Sequence, residues 1–134
     1  MAVIDASVYV ALVNAHEAAH ASSWAWFGQA NFAGEPMYAP VILLAEVAAA
    51  LARGARDPAL AHRVVQQLLH SRVIELALVT TTMAERAAAI AADYRIRGCD
   101  AIYVALAEQL GDELVTLDRQ QLERGRAVVV TREP

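Results

Sequence analysis

Four carboxylates stand in apolar surroundings, where an unpaired charge is unfavourable. Asp5 and Asp118 each directly follow a short apolar run, Glu46 lies within the near-continuous apolar run 41–52, and Asp100 opens a further apolar segment. Burying an unpaired carboxylate costs several kcal/mol or raises its pKa. Each of the four therefore needs water, a proton or a cation, and we treat all four as candidate site residues.

Glu46 is the most informative of the four. A helix is predicted around it, and its neighbours three and four positions away are Ile42, Leu43, Ala49 and Ala50. None of these can form an ion pair. Either this face of the helix reaches water, or a metal ion compensates the charge.

Asp5 and Asp118 each follow a predicted strand. In an open parallel sheet the ligand crevice lies outside the carboxyl ends of the strands, so two acids at two such ends can converge. Each also fits a simpler role, because Asp is a favoured N-cap and a helix is predicted after both. Asp100, at the start of its helix, could likewise interact with the helix dipole alone.

If the four acids share one pocket, their mutual repulsion requires protons or cations. An all-oxygen set of ligands favours one or two Mg²⁺ or Mn²⁺ ions, which can bind a scissile phosphate and activate water. Ser7 and Thr116 lie near Asp5 and Asp118 and could orient the acids, although helix-start and strand preferences also explain them. Arg97 and Arg119 are candidates for phosphate contacts, or else solvated surface charges.

Short apolar runs alternate with helical segments, which indicates an α/β fold around a mostly parallel sheet covered on both faces. The patterns predict strands over residues 2–4, 37–39, 73–79, 113–117 and 127–131. They predict helices over residues 7–14, 17–30, 40–53, 57–70, 82–96, 100–110 and 119–124, with Pro40 at a first helical position and Gly98 and Gly111 as stops. We expect one domain over residues 1–134.

Composition excludes several classes of function. All eleven basic residues are arginine, so lysine-dependent phosphate loops and Schiff-base chemistry are excluded. The formal charge of −4 argues against a passive basic nucleic-acid binder. Cys99 is the single cysteine, so no internal disulfide can form, and the apolar run 41–52 is too short to cross a membrane. We expect a cytoplasmic protein without a membrane segment.

Four stretches together resemble the PIN-domain nucleases, specifically the VapC-type toxins of toxin–antitoxin pairs. They are residues 3–7 (VIDAS), 44–47 (LAEV), 97–108 (RGCDAIYVALAE) and 114–118 (LVTLD). Each stretch alone is weak evidence for the family, but their order and spacing together are specific for it. The resemblance covers nearly the whole chain.

The resemblance implies that Asp5, Glu46, Asp100 and Asp118 are both the metal ligands and the catalytic acids, supported by Ser7 and Thr116. It implies a three-layer α/β/α fold with a five-stranded sheet and a homodimer. It also implies Mg²⁺- or Mn²⁺-dependent cleavage of RNA that leaves a 5′-phosphate and a 3′-hydroxyl. A small antitoxin protein would bind the toxin and block its site.

Three alternatives follow from the same residues. An aspartyl-phosphate enzyme or receiver domain is disfavoured, because the sequence reads Asp5-Ala6-Ser7 where phosphatases of that type use Asp-x-Asp, and receivers need a lysine. A non-catalytic PIN-like module that only binds a partner would not need Glu46 in an apolar helix. A housekeeping RNA-processing PIN nuclease without an antitoxin stays open, as does the identity of the RNA.

Overall fold

The computed structural model describes all 134 residues and contains five strands and seven helices, joined by loops. The strands are β1 (Ala2–Ile4), β2 (Met37–Pro40), β3 (Ile74–Ala77), β4 (Glu113–Val115) and β5 (Thr131–Arg132). The helices are α1 (Ala6–Val13), α2 (His20–Phe32), α3 (Leu43–Gly54), α4 (Pro58–Leu69), α5 (Thr81–Tyr94), α6 (Gly98–Leu110) and α7 (Arg119–Gly125). None of these helices is long and apolar enough to cross a membrane.

The five strands form one sheet in the order β3-β2-β1-β4-β5, and every pairing is parallel. From β1 the chain moves outward through β2 to β3, then crosses back to β4 and continues to β5. Because parallel crossovers are right-handed, this reversal places helices on both faces of the sheet. The predicted three-layer α/β/α fold is confirmed, and its switch point lies between β1 and β4.

The core is centred on the three middle strands and on α6. All three residues of β1 are buried, and α6, which contacts β1, β2 and β4, buries seven residues including Asp100 and Tyr103. The helix that carries Asp100 is therefore mostly buried, with Gly98, Cys99 and Gln109 as its exposed residues.

The start of α3 differs from the prediction. Pro40 is the last residue of β2, and the N–H of the next residue, Val41, still donates to the Ala77 carbonyl of β3 at 2.8 Å. The strand geometry therefore continues through Pro40, and the helix begins only at Leu43. Glu46 consequently lies in the first turn of α3 and not in mid-helix.

The last strand is shorter than predicted. The N–H groups of Val128 and Val129 both donate to the Gly125 carbonyl. This turn after α7 uses apolar residues that the pattern assigned to a strand, so pairing with β4 begins at Thr131. The predicted strand over residues 73–79 likewise shortens to Ile74–Ala77.

Helix ends show where local signals were sufficient. Asp57 caps α4, with Pro58 in its first turn, and Gly111 ends α6 at φ 68°, as predicted. Gly98, however, begins α6 and does not end α5. The left-handed residue after α5 is Arg95, at φ 56°.

Candidate active site

All four candidate acids line one open cleft of about 610 Å³ at the carboxyl ends of the central strands. Asp5 follows β1 and Asp118 lies shortly after β4, and Ile4 pairs with Val115 in register. Glu46 and Asp100 lie in the first turns of α3 and α6. Four separate parts of the chain therefore bring carboxylates to the switch point, where the sequence placed them.

Asp5 is held by hydroxyl groups. Ser7 donates to Asp5 Oδ2 through both its backbone N–H (3.1 Å) and its Oγ (2.5 Å). Thr116 Oγ1 donates to the same oxygen at 3.2 Å. Asp5 also caps α1, so the helix-cap role and the site position coincide in one residue. Its side chain is fixed before any ligand binds.

The same two hydroxyls accept bonds from the loop that carries Asp118. Leu117 N–H donates to Ser7 Oγ at 3.0 Å, and Asp118 N–H donates to Thr116 Oγ1 at 3.0 Å. The backbone around Asp118 is thereby tied to Asp5. Asp118 Oδ1 accepts the N–H of Gln121 at 2.9 Å and caps α7. The other oxygen, Oδ2, takes no part in this cap.

Glu46 accepts a hydrogen bond from the Tyr103 hydroxyl at 2.7 Å. Burial raises the pKa of Glu46 above its usual value, and the carboxylates of Asp5 and Asp100 raise it further, while the Tyr103 bond opposes this. Tyr103 is fully buried on α6, and burial also raises the pKa of its phenol. The acid on α3 is thus oriented by α6, the helix that carries Asp100.

Asp100 and Asp118 share a cation within the chain. Arg97 Nε donates to Asp100 Oδ2 at 2.8 Å, and Arg97 Nη2 donates to Asp118 Oδ2 at 2.8 Å. Burial raises the pKa of Asp100, and the Arg97 bond opposes that effect. Arg97, predicted to contact phosphate, therefore lies against two acids in this structure.

Gln121 was missed by the sequence reasoning. Its side chain is fully buried, and its Nε2 lies 3.2 Å from the Asp100 carbonyl and 3.5 Å from Asp5 Oδ1. Its Oε1 has no partner. The opposite amide orientation would place Oε1 against two acceptors, so the site dictates the orientation at the cost of an unpaired oxygen. A polar residue three positions after a capping Asp was the available signal.

One other prediction can be compared with the cleft, and two residues at the site were not predicted. Arg119, the second predicted phosphate contact, does not line it, whereas Arg53 on α3 does. Arg53 Nε donates to the Ala49 carbonyl at 3.4 Å and not to a carboxylate. Tyr103 could have been found from its spacing, since it lies three residues after Asp100 on the same helix face.

The donor set of the cleft fits a hard divalent cation. It consists of four carboxylates without an imidazole, and the pKa values of Glu46 and Asp100 are both raised, in part by neighbouring acids. As the side chains are placed, however, no three His, Cys, Asp or Glu groups are close enough to hold one ion together. Two of the four acids are instead paired with Arg97.

Comparisons with known proteins agree with the architecture. The family model described as "PIN domain" matches residues 2–127. No curated protein sequence matches the chain significantly.

Solved structures share the fold at low sequence identity. VapC20 from Mycobacterium tuberculosis, described as a toxin that cleaves the sarcin–ricin loop, is 21% identical with a TM-score of 0.78, and the match covers 100% of both chains. A toxin–antitoxin complex from Klebsiella pneumoniae is 21% identical with a TM-score of 0.67, and the match again covers 100% of both chains. FitAcB from Neisseria gonorrhoeae is 17% identical with a TM-score of 0.76, and the match covers 100% of this chain and 98% of that one.

Proposed function

The chain belongs to the PIN-domain family, and from that premise we propose that its acidic cleft is the active site of an endoribonuclease that depends on Mg²⁺ or Mn²⁺. The observation that carries this proposal is the convergence of Asp5, Glu46, Asp100 and Asp118 from four parts of the chain. An N-cap role explains two of them singly, but no structural role requires all four in one cleft.

The four carboxylates would hold one or two divalent ions. Bound there, such ions would supply charge neutralisation at the scissile phosphate and a more acidic water. Ser7 and Thr116 fix Asp5 so that it need not reorganise, and Tyr103 does the same for Glu46. Preorganised oxygens of this kind are the chain's own contribution to catalysis.

We assign the enzyme to the toxins of toxin–antitoxin pairs. Similar structures include a toxin described as cleaving the sarcin–ricin loop and a toxin–antitoxin complex, and the motifs over residues 3–7 and 97–108 resemble the VapC type. On this proposal the protein is a single-domain cytoplasmic homodimer. Its partners are an RNA substrate and a small cognate antitoxin.

Cleavage of total bacterial RNA by the purified protein tests the nuclease. We expect discrete cuts with Mn²⁺ or Mg²⁺ that disappear with EDTA, and a loss of about 100-fold or more in Asp100→Asn. Asp93→Asn is the matched control, because Asp93 is an exposed acid on α5 outside the cleft. Failure of folded, ion-supplied protein to cut any RNA would favour the partner-binding module.

Expression in a bacterial host tests the toxin assignment separately. Wild-type protein should arrest growth, Asp100→Asn should not, and co-expression of a short antitoxin gene adjacent in the source genome should restore growth. Harmless expression of a protein that cuts RNA in vitro would instead favour a housekeeping nuclease.

A further inference from the structure

Arg97 is the one cleft residue whose placement opposes the proposed use of the acids. Its guanidinium bridges Asp100 and Asp118 with two bonds of 2.8 Å. An arginine side chain keeps its positive charge throughout the pH range in which proteins fold, so the bridge places a full positive charge between the two acids.

The bridge occupies oxygens of two of the proposed ion ligands. Arg97 donates to Asp100 Oδ2 and Asp118 Oδ2, while Asp118 Oδ1 already caps α7. Neither Asp118 oxygen is then without a hydrogen-bond donor.

The bridge is also easily broken. The Arg97 side chain is 68% exposed, against 12% for Asp100 and 26% for Asp118. Ion pairs with an exposed partner contribute little to stability, since water solvates the released charge. Arg97 can therefore swing outward without disturbing the core, whereas the two acids stay in place.

We propose that Arg97 is a built-in counter-ion of the cleft that divalent ions displace from Asp100 and Asp118. This inference rests on the proposed function, because it presupposes that the acids bind divalent ions. Arg97 stabilises the ion-free site and raises the ion concentration needed to fill it. Once displaced, its guanidinium lies at the mouth of the cleft with its donors free.

Titration calorimetry with Mn²⁺ in the absence of RNA tests the inference without reference to activity. Arg97→Gln should bind Mn²⁺ about tenfold or more tightly than wild type, because the competing charge is gone. Arg97→Lys keeps the charge without the two-pronged geometry and should fall between them.

Arg53→Gln is the matched control, since it removes the same charge from the lining of the same cleft without breaking an acid pair. It should change Mn²⁺ affinity by no more than about twofold to threefold. Equal or weaker Mn²⁺ binding in Arg97→Gln would overturn the inference and leave the proposed function standing. Absence of Mn²⁺ binding in wild type and in Arg97→Gln alike would overturn both.

Discussion

The hydroxyls of Ser7 and Thr116 each make two hydrogen bonds that join the two sides of the site. Each hydroxyl donates to Asp5 Oδ2 and accepts a backbone N–H next to or at Asp118. A hydroxyl can do both at once, whereas a methyl group can do neither. The relative placement of Asp5 and Asp118 therefore depends on the hydroxyl oxygens of Ser7 and Thr116.

Ser7→Ala tests this dependence. Loss of the donor to Asp5 and of the acceptor for Leu117 N–H should lower RNA cleavage about 10- to 100-fold. It should also lower the free energy of unfolding by about 1–2 kcal/mol, as measured by urea denaturation. The control is Ser22→Ala, because the exposed Ser22 hydroxyl in the first turn of α2 donates only to the carbonyl of Ala19. Wild-type cleavage by folded Ser7→Ala would contradict the role.

Glu46 carries a stability cost with a definite pH dependence. Burial raises its folded-state pKa above the unfolded value. Between these two pKa values the unfolded chain binds fewer protons, so ionisation costs stability as the pH rises through this window. The cost is absent in acid, where Glu46 is protonated in both states.

Glu46→Gln should therefore make the ion-free protein more stable at neutral pH, while it abolishes RNA cleavage. The stability gain should shrink as the pH falls below the unfolded pKa of Glu46. Urea denaturation in EDTA from acidic to neutral pH measures the difference. A variant less stable than wild type at neutral pH would contradict the assigned cost.

Glu108 provides a control, because its pKa is shifted in the opposite direction to that of Glu46. The hydrogen bond from Arg86 lowers the pKa of Glu108. Its contribution to stability is therefore present at neutral pH and is lost as the pH falls through the folded pKa. Glu108→Gln should be no more stable than wild type at neutral pH, and the two proteins should converge in acid.

The order of strands and helices was predictable, whereas several strand ends and some helix starts were not. Apolar runs that stop at an Asp placed Asp5 and Asp118 correctly, because a parallel sheet brings its carboxyl ends to one edge. Pro40 misled the prediction of α3, since a proline suits a first helical turn but is also tolerated at the end of a strand. That choice depends on the partner strand, which no local pattern contains.

The supporting side chains were less predictable than the acids. Tyr103, Gln121 and Arg53 reach the site only because α6, α7 and α3 meet around it. Their residue types are ordinary for helices, so the spacing from Asp100 and Asp118 marks Tyr103 and Gln121 only as candidates, and the packing shows their role. The bridging position of Arg97 likewise depends on the distance between α6 and the loop after β4.

The junction between α5 and α6 contains strain that can be removed. Arg95 is left-handed at φ 56°, a conformation that costs a residue with a Cβ about 1–2 kcal/mol. Arg95→Gly should raise the free energy of unfolding by about 1 kcal/mol, because glycine adopts this conformation freely. Thermal or urea denaturation measures the change.

Arg126 is the matched position for that experiment. It follows α7 at φ −57°, where glycine offers no steric relief and only gains freedom in the unfolded chain. Arg126→Gly should lower the stability. If Arg95→Gly also lowered it, the strain assigned to the junction would be wrong.

The negative charge of the whole molecule repels RNA, which is the proposed substrate. The formal net charge is −4, and four acids are concentrated in one cleft with Arg97 and Arg53 as its cations. RNA binding to such a cleft is unfavourable unless cations neutralise the acids. Ion binding and RNA binding should therefore be coupled, with ions required first.

Diffraction from Mn²⁺-soaked crystals at the manganese absorption edge shows whether the four acids bind a divalent ion. We expect an anomalous peak in the cleft, with oxygens of Asp5 and at least one of Glu46, Asp100 and Asp118 around it. We also expect Arg97 to have withdrawn from Asp100 and Asp118. Crystals of intact protein with no manganese in the cleft, or with manganese bound only elsewhere, would contradict the proposed ion site.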